Sequence, residues 1–335
     1  MKKLLLRWKF ILDTGNMPKG DEMDFLSKWL IATRACVFSM TTTSVFIGAL
    51  IAATDKHFNL FYLLLILIAL ILAHASNNLI NDYFDYKQGV DTPDYHRTQY
   101  SPHPLASGLM SEKELLFAFF LFGLIELAIA FYLTFKCGLL VLIFAVIGFL
   151  LSVFYVAPPL KLKYRGLGEL AIFFIWGPLI TVGTYYVMSG NMPLHTWLAS
   201  IPYGLVVTNV LFGKHLDKYE KDREKKVLTL PVLLGWKNAI LIAKINTALF
   251  YITVIILVLL KVISPFTLLC FFSINRFRFF ISILDTPKPQ EKPKDFPDIW
   301  PLWYVVWAFW FNKLAGGLFI SGLIIGILFN LFIKI

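Results

Sequence analysis

From Phe58 to Leu79 the chain is almost wholly apolar, and this run passes directly into the polar, acid-bearing stretch NNLINDYFDYKQGVD (77–91). A run of that length is enough to cross the roughly 30 Å hydrocarbon core of a bilayer as a helix. Inside that core a helix satisfies every backbone N–H and C=O. The rest of the sequence repeats the pattern. Apolar runs predict nine spans, at about 29–53, 59–81, 115–135, 139–157, 168–188, 196–213, 238–260, 265–284 and 313–334. Arg276 and Arg278 interrupt the eighth. With 58% hydrophobic and 16% charged residues and a mean hydropathy of +0.70, the chain is far more apolar than a soluble domain. The fold class expected is an all-α, polytopic membrane bundle of about nine transmembrane helices.

The basic residues orient it. With the N-terminus inside, 22 of the 31 Lys and Arg fall in inner segments, and only Lys56, Lys136, Lys261 and Lys334 fall in outer ones. Cytoplasmic loops carry an excess of Lys and Arg, so the N-terminus is expected in the cytoplasm and the C-terminus outside. The net charge of +10 then reflects topology and anionic lipid rather than nucleic acid. Residues 1–28 read as a cytoplasmic amphipathic segment ahead of a transmembrane domain, 29–335, and no signal peptide is expected because a cleavable apolar core is missing. Cys36, Cys137 and Cys270 lie in or beside apolar spans without CxxC spacing, as reduced structural thiols do.

Asn78, Asp82 and Asp85 stand at i, i+4 and i+7, which puts them on one helical face. Carboxylates at the mouth of a span are expensive and mark a functional site, with a solvated loop after a helix as the alternative. An amide and two or three carboxylates on one face suit Mg²⁺, a hard cation that keeps waters and takes a phosphate ligand. The following loop adds Asp91 and Asp94, with Arg97 beside them. A second loop, 214–237, carries Asp217, Glu220, Asp222 and Glu224 among Lys214, Lys218, Lys221 and Arg223. Each cluster follows an even-numbered span on the inner side, which suggests a duplicated layout facing one cavity. Two metal ions holding a pyrophosphate fit such a layout, because the metal neutralises the charge that develops as a C–O bond breaks. Neighbouring basic residues would complete the clamp. The organic tail would lie among apolar helices, as a polyprenyl diphosphate does, with aromatic faces shielding the allylic cation.

Other polar residues carry two readings each. His74, one turn deeper on the same stripe, is a helix-contact residue or binds an acceptor. Glu126 within span 3 is a helix–helix hydrogen-bond partner or a cavity residue. His215 and Lys218 precede Asp222 by seven and four and could share its face, or belong to a solvated loop.

NDYFDYKQGVDTPD (81–94) resembles the first aspartate-rich motif of the UbiA superfamily of intramembrane prenyltransferases. Its Gly89–Val90–Asp91 extension most resembles the branch that prenylates 1,4-dihydroxy-2-naphthoate in menaquinone synthesis. HPLASGLMS (103–111) is similar to the family's loop entering span 3. YVAPPLKLKYRGLGEL (155–170) is similar to its Tyr/Pro/Lys segment between spans 4 and 5, and DREKKVLTLPVLLG (222–235) to the end of its second aspartate-rich motif. The likeness covers about residues 29–335. It implies Mg²⁺-pyrophosphate binding by Asn78, Asp82 and Asp85, joined by Asp91, and by Asp217 and Asp222. It further implies that Lys161, and after it Lys163, contacts the pyrophosphate with Tyr155 nearby. Arg34 would face the acceptor, a snorkelling interfacial arginine being the alternative.

The chain also departs from that pattern. The family usually spaces its second pair of aspartates four apart, whereas Asp217 and Asp222 are five apart. Five residues are about 140° of helical rotation. Both can reach one metal only if the helix ends or bulges near Tyr219, or if Asp222 acts from the following loop. Gly213 and Lys214 stand where the family places an Asn, with Asn209 a turn further back. A lysine there could bind phosphate directly and reduce dependence on a second metal. His103 stands where an Arg commonly precedes the Pro-Leu of its loop.

The function expected is Mg²⁺-dependent prenyl transfer from a polyprenyl diphosphate to an aromatic quinone precursor such as 1,4-dihydroxy-2-naphthoate. The protein would be a multi-pass cell-membrane enzyme surrounded by membrane lipids, its active site facing the cytoplasm. Acceptors that remain open are 4-hydroxybenzoate and, for ether-lipid synthesis, geranylgeranylglyceryl phosphate. A non-catalytic prenyl-lipid-binding membrane protein and a secondary transporter are the alternatives of other classes. One-sided acids and the lack of broken, glycine-interrupted spans in matching halves argue against the transporter.

Overall fold

The computed structural model describes residues 2–332, which form helices joined by loops. The elements are α1 (Lys2–Thr14), α2 (Phe25–Ala32), α3 (Phe38–Thr54), α4 (Leu60–Lys87), α5 (Glu112–Cys137), α6 (Leu140–Val153), α7 (Gly168–Ser189), α8 (Leu194–Asp217), α9 (Tyr219–Glu224), α10 (Trp236–Leu259), α11 (Pro265–Asp285) and α12 (Tyr304–Phe332). Among the described residues, eight segments are long and apolar enough to span a bilayer. The fourth expected span is a 14-residue helix, α6, too short to cross unaided. The protein is an integral, multi-pass membrane bundle. Lys334, counted above among the outer charges, lies outside the described residues.

Two boundaries differ from the expectation. The first span does not run from residue 29: α2 ends at Ala32, and Arg34 takes a left-handed conformation (φ 53°) before the chain resumes through a 3-10 turn into α3. Asp24 starts α2 by accepting from the Ser27 N–H at 3.0 Å, and it also receives Arg7 and Trp8 from α1. This fastens the amphipathic segment to the bundle. The last span starts at Tyr304 rather than 313, for a reason that belongs to the site below.

Burial sorts the helices. In α8, 83% of the most apolar window is buried, whereas in α5 only 11% is, so α8 is the central post and α5 faces lipid. Around α8 the core is built from Val206, Val207, Phe250, Phe311 and Phe319. The eighth expected span, interrupted by arginines, does form. Arg276 donates to the Trp310 carbonyl at 2.6 Å and lies 4.1 Å from that indole, so its charge is met by α12.

Length places the site. The 28 residues of α4 make a helix about 42 Å long, more than the hydrocarbon thickness needs. The surplus turns carry Asn78, Asp82 and Asp85 out of the apolar layer. The loop that follows, 88–111, folds back over this end of the bundle.

Candidate functional site

The two acidic loops meet at one end of the bundle, as their spacing suggests. Tyr95, from the loop after α4, donates to Asp222 of α9 at 2.5 Å. Lys225 reaches back to the Val90 carbonyl at 2.7 Å and to Thr92, while Lys221 pairs with Asp94 at 3.1 Å. Beneath these loops a cavity of about 860 Å³ runs into the bundle, lined by Arg34, His74, Asn78, Asn81, Tyr155 and Lys214 near the polar end and by apolar side chains beyond.

On α4 the acids have different partners. Asp82 is fully buried and takes a bidentate fork from Arg97, Nε to Oδ1 at 3.0 Å and Nη2 to Oδ2 at 2.6 Å, while Arg34 pairs with Oδ1. Asp82, expected as a metal ligand, is therefore occupied by two guanidinium groups and holds both in place. Asp85 accepts from Lys163 Nζ at 2.6 Å and from the Tyr164 hydroxyl at 2.6 Å. Asn78 donates to the Thr33 carbonyl at 2.8 Å, so its amide group closes the α2–α3 break rather than reaching a phosphate.

Lys161 and Lys163, both expected at the pyrophosphate, point to different partners. Lys161 sits in a left-handed conformation (φ 46°) at the start of a 3-10 turn, and its ammonium goes to Gln88, over the Tyr164 ring. Two residues on, Lys163 is buried against Asp85. Burial opposes its charge, but Asp85, Asp222 and Asp91 together raise its pKa.

Asp91 and His103 form a second buried pair, 3.0 Å apart. His103 Nδ1 accepts from the Leu105 and Ala106 N–H groups at 3.1 Å each, which puts the proton on Nε2 and makes the imidazole a donor to Asp91. Burial lowers the His103 pKa despite Asp91, keeping the ring neutral. Burial works against ionising Asp91 too, but His103 and the nearby Lys218, Lys163 and Arg97 hold its pKa below the usual range.

In the second motif the helix breaks as the five-residue spacing demands: α8 ends at Asp217 and α9 begins at Tyr219. The break does not bring both aspartates to one metal. Asp217 accepts from the Trp303 and Tyr304 N–H groups on Oδ1, at 2.8 and 3.0 Å, and from the Val305 N–H on Oδ2 at 3.0 Å. It caps the N-terminus of α12: the carboxylate expected as a metal ligand is held here by three orphan helix N–H groups. Asp222 does reach the site. Lys218 follows, its Nζ 3.3 Å from the Tyr95 hydroxyl and 4.8 Å from that ring. Burial and the like charge of Lys163 lower Lys218 to about 8, against the pull of Asp222, Asp91 and Asp85. His215 turns away to Glu169 at 2.6 Å, and Asn209 bonds Thr247 at 2.6 Å.

At this end of the bundle the buried oxygens Asp91 Oδ1, Asp222 Oδ2 and Asn81 Oδ1 have no hydrogen-bond partner among the described residues. Hard oxygens left unmet beside a cavity suit Mg²⁺. Asn81, Tyr95 and Tyr164 were not picked out from the sequence, although Asn81 lies four residues before Asp85 and so on its face. Along the cavity wall, Glu126 accepts from the Ser76 hydroxyl at 2.9 Å and lines the cavity, uniting its two readings. His74 bonds Thr41 at 2.8 Å and lines the cavity too.

Residues 41–303 match the UbiA prenyltransferase family. Among curated relatives, the chain is 28% identical over 230 residues to UbiA prenyltransferase domain-containing protein 1 of Dictyostelium discoideum, covering 62% of this chain and 64% of that one. It is 23% identical over 264 residues to the 1,4-dihydroxy-2-naphthoate octaprenyltransferase of Bacillus subtilis, covering 79% and 80%. Its fold is similar to that of a UbiA homolog from Archaeoglobus fulgidus bound to GPP and Mg²⁺, with a TM-score of 0.57, 16% identity, and 88% of this chain and 99% of that one covered.

Proposed function

The chain belongs to the UbiA prenyltransferase family, and from that premise we propose that it transfers a polyprenyl group from a polyprenyl diphosphate to an aromatic quinone precursor of the dihydroxynaphthoate class. One observation carries the reading: two polar loops from distant parts of the sequence close over an apolar cavity of about 860 Å³, with unmet carboxylate oxygens beside a set of buried cations. Asp91, Asp222, Asn81 and Asp85 are the residues that would hold Mg²⁺, which supplies neutralisation of the diphosphate leaving group. Lys163, Lys214, Lys218 and the arginines held by Asp82 surround the same anion. The naphthoate-class acceptor rests on the Gly89–Val90–Asp91 extension and on the Bacillus subtilis relative.

The chemistry follows from the partition between the polar mouth and the apolar interior. The allylic C–O bond breaks with its electron pair leaving on the diphosphate. The cation is shielded from water by the apolar walls, and the faces of Tyr155 and Trp176 line its surroundings. A ring carbon of the acceptor supplies the electron pair of the new C–C bond, and the ring then loses a proton, or its carboxylate as CO₂ in a hydroxynaphthoate. No dedicated base is required, since the alkylated arene is itself strongly acidic. The bias of Lys and Arg toward one side supports a cytoplasmic mouth.

The test uses the detergent-solubilised protein with Mg²⁺, geranylgeranyl diphosphate and four acceptors: dihydroxynaphthoate, hydroxybenzoate, homogentisate and geranylgeranylglyceryl phosphate. Mass spectrometry should show a prenylated dihydroxynaphthoate adduct that disappears with EDTA and in Asp222→Asn. An adduct on another acceptor alone would overturn the naphthoate assignment. Binding of the diphosphate without cleavage or adduct would identify a non-catalytic prenyl-lipid binder.

A further inference from the structure

Asp217 gives both oxygens to the start of α12, and Glu220 and Glu224 are exposed, so Asp222 is the one carboxylate that the second motif delivers to the site. What accompanies it is basic. The Asp222 N–H donates to the Lys218 carbonyl at 2.8 Å, which keeps one helical turn between these residues. Lys218 thus lies one turn before Asp222, and Lys214 stands in the last turn of α8, ahead of the break. Lys214 lines the cavity and, among the described residues, has no hydrogen-bond or ion-pair partner such as Lys163 and Lys218 possess. A lone ammonium at the edge of an apolar cavity is costly until a ligand brings an anion to it.

The charges at the mouth point the same way. Arg34, Arg97, Lys163, Lys214 and Lys218 face Asp82, Asp85, Asp91 and Asp222, which leaves one positive charge, His103 being a neutral donor. One Mg²⁺ raises that surplus to about three, the charge of a diphosphate leaving group, whereas a second would overshoot by about two. Resting on the prenyltransferase reading above, we propose that this chain holds the diphosphate with a single Mg²⁺. Lys214 and Lys218 contact phosphate oxygens directly in place of a second metal ion.

Metal counting tests this without any variant. Equilibrium dialysis of the detergent-solubilised protein with Mn²⁺ and inorganic pyrophosphate should give one bound Mn²⁺ per bound pyrophosphate. Lys218→Asp, which supplies a second carboxylate four residues before Asp222, should raise the count to two. Lys214→Met and Lys218→Met keep the apolar stem, and each should weaken pyrophosphate binding at saturating Mn²⁺ about tenfold or more. Their melting temperatures, which a purely structural role would lower, should stay near that of the parent. Two Mn²⁺ per pyrophosphate in the unmodified protein, or unchanged affinity in both methionine variants, would overturn the proposal while leaving prenyl transfer standing. No pyrophosphate binding at any Mn²⁺ concentration would remove both.

Discussion

Lys161 and Lys163 show how much can turn on one backbone angle. Both lie in the KLK triplet that the family likeness assigns to the pyrophosphate, and nothing in the side chains distinguishes them. The left-handed conformation at Lys161 and the 3-10 turn after it send the first to Gln88 and the second to Asp85. Lys163→Met should therefore lower turnover about 100-fold, the range seen when one charge-stabilising donor is removed. Lys161→Met should change it by no more than about twofold, as expected of a partly exposed polar contact. Steady-state kinetics on the two variants measures the contrast directly; the reverse order would return Lys161 to the site. The same limit governed the acids. Helical spacing made Asp82 and Asp85 visible as candidates, and the acid cluster of the second loop did the same for Asp222; all three lie at the polar end of the bundle. It could not reveal that two arginines take up Asp82, since Arg34 comes from another helix and Arg97 from a loop with no periodicity.

Between α8 and α12, Asp217 and Gly213 act as one docking surface, a helical turn apart. A Cβ at Gly213 would fall 2.8 Å from the Val305 backbone and 2.9 Å from the Tyr304 carbonyl carbon, so only glycine lets the start of α12 approach closely enough to be capped. This contact is why α12 begins at Tyr304, nine residues before the apolar run suggested. Hydropathy finds where a helix must be apolar; it does not find where a cap lets it start. The short α6 and the break at Thr33–Arg34 escaped the same reading, because apolar composition continues through both. Asp217→Ala should destabilise the protein by about 1–2 kcal/mol, the loss of a helix cap. Gly213→Ala should cost about 1–3 kcal/mol through overpacking. Because each change already frees the start of α12, the double variant should lose less than the sum of the two, a coupling readable by thermal unfolding in detergent. Strict additivity would mean that the two residues do not share one contact.

For the molecule as a whole, the proposed reaction would divide the work: the polar mouth would handle charge, and the apolar cavity would measure the tail. At Gly168, at the mouth end of α7, a Cβ would fall 3.2 Å from the Tyr155 hydroxyl and 3.6 Å from the Lys163 Cα. Gly183 lies fifteen residues further along, about 22 Å deeper into the bundle. It lines the cavity, and the side chain nearest to a Cβ placed there is Phe144, at 3.8 Å, so a larger residue would project into open space rather than into packed atoms. Gly183→Leu should leave folding intact, since replacing a helix-interior glycine by leucine favours the helix by up to about 1 kcal/mol. Geranyl diphosphate, too short to reach this depth, should be used as before. Octaprenyl diphosphate should lose about tenfold or more in kcat/KM, because its distal units would meet the new side chain. Competition between the two diphosphates in one reaction, read by mass spectrometry, reports the ratio. If both chain lengths were used as in the parent, the tail would have to leave the bundle before Gly183, through the lipid-facing side of α5.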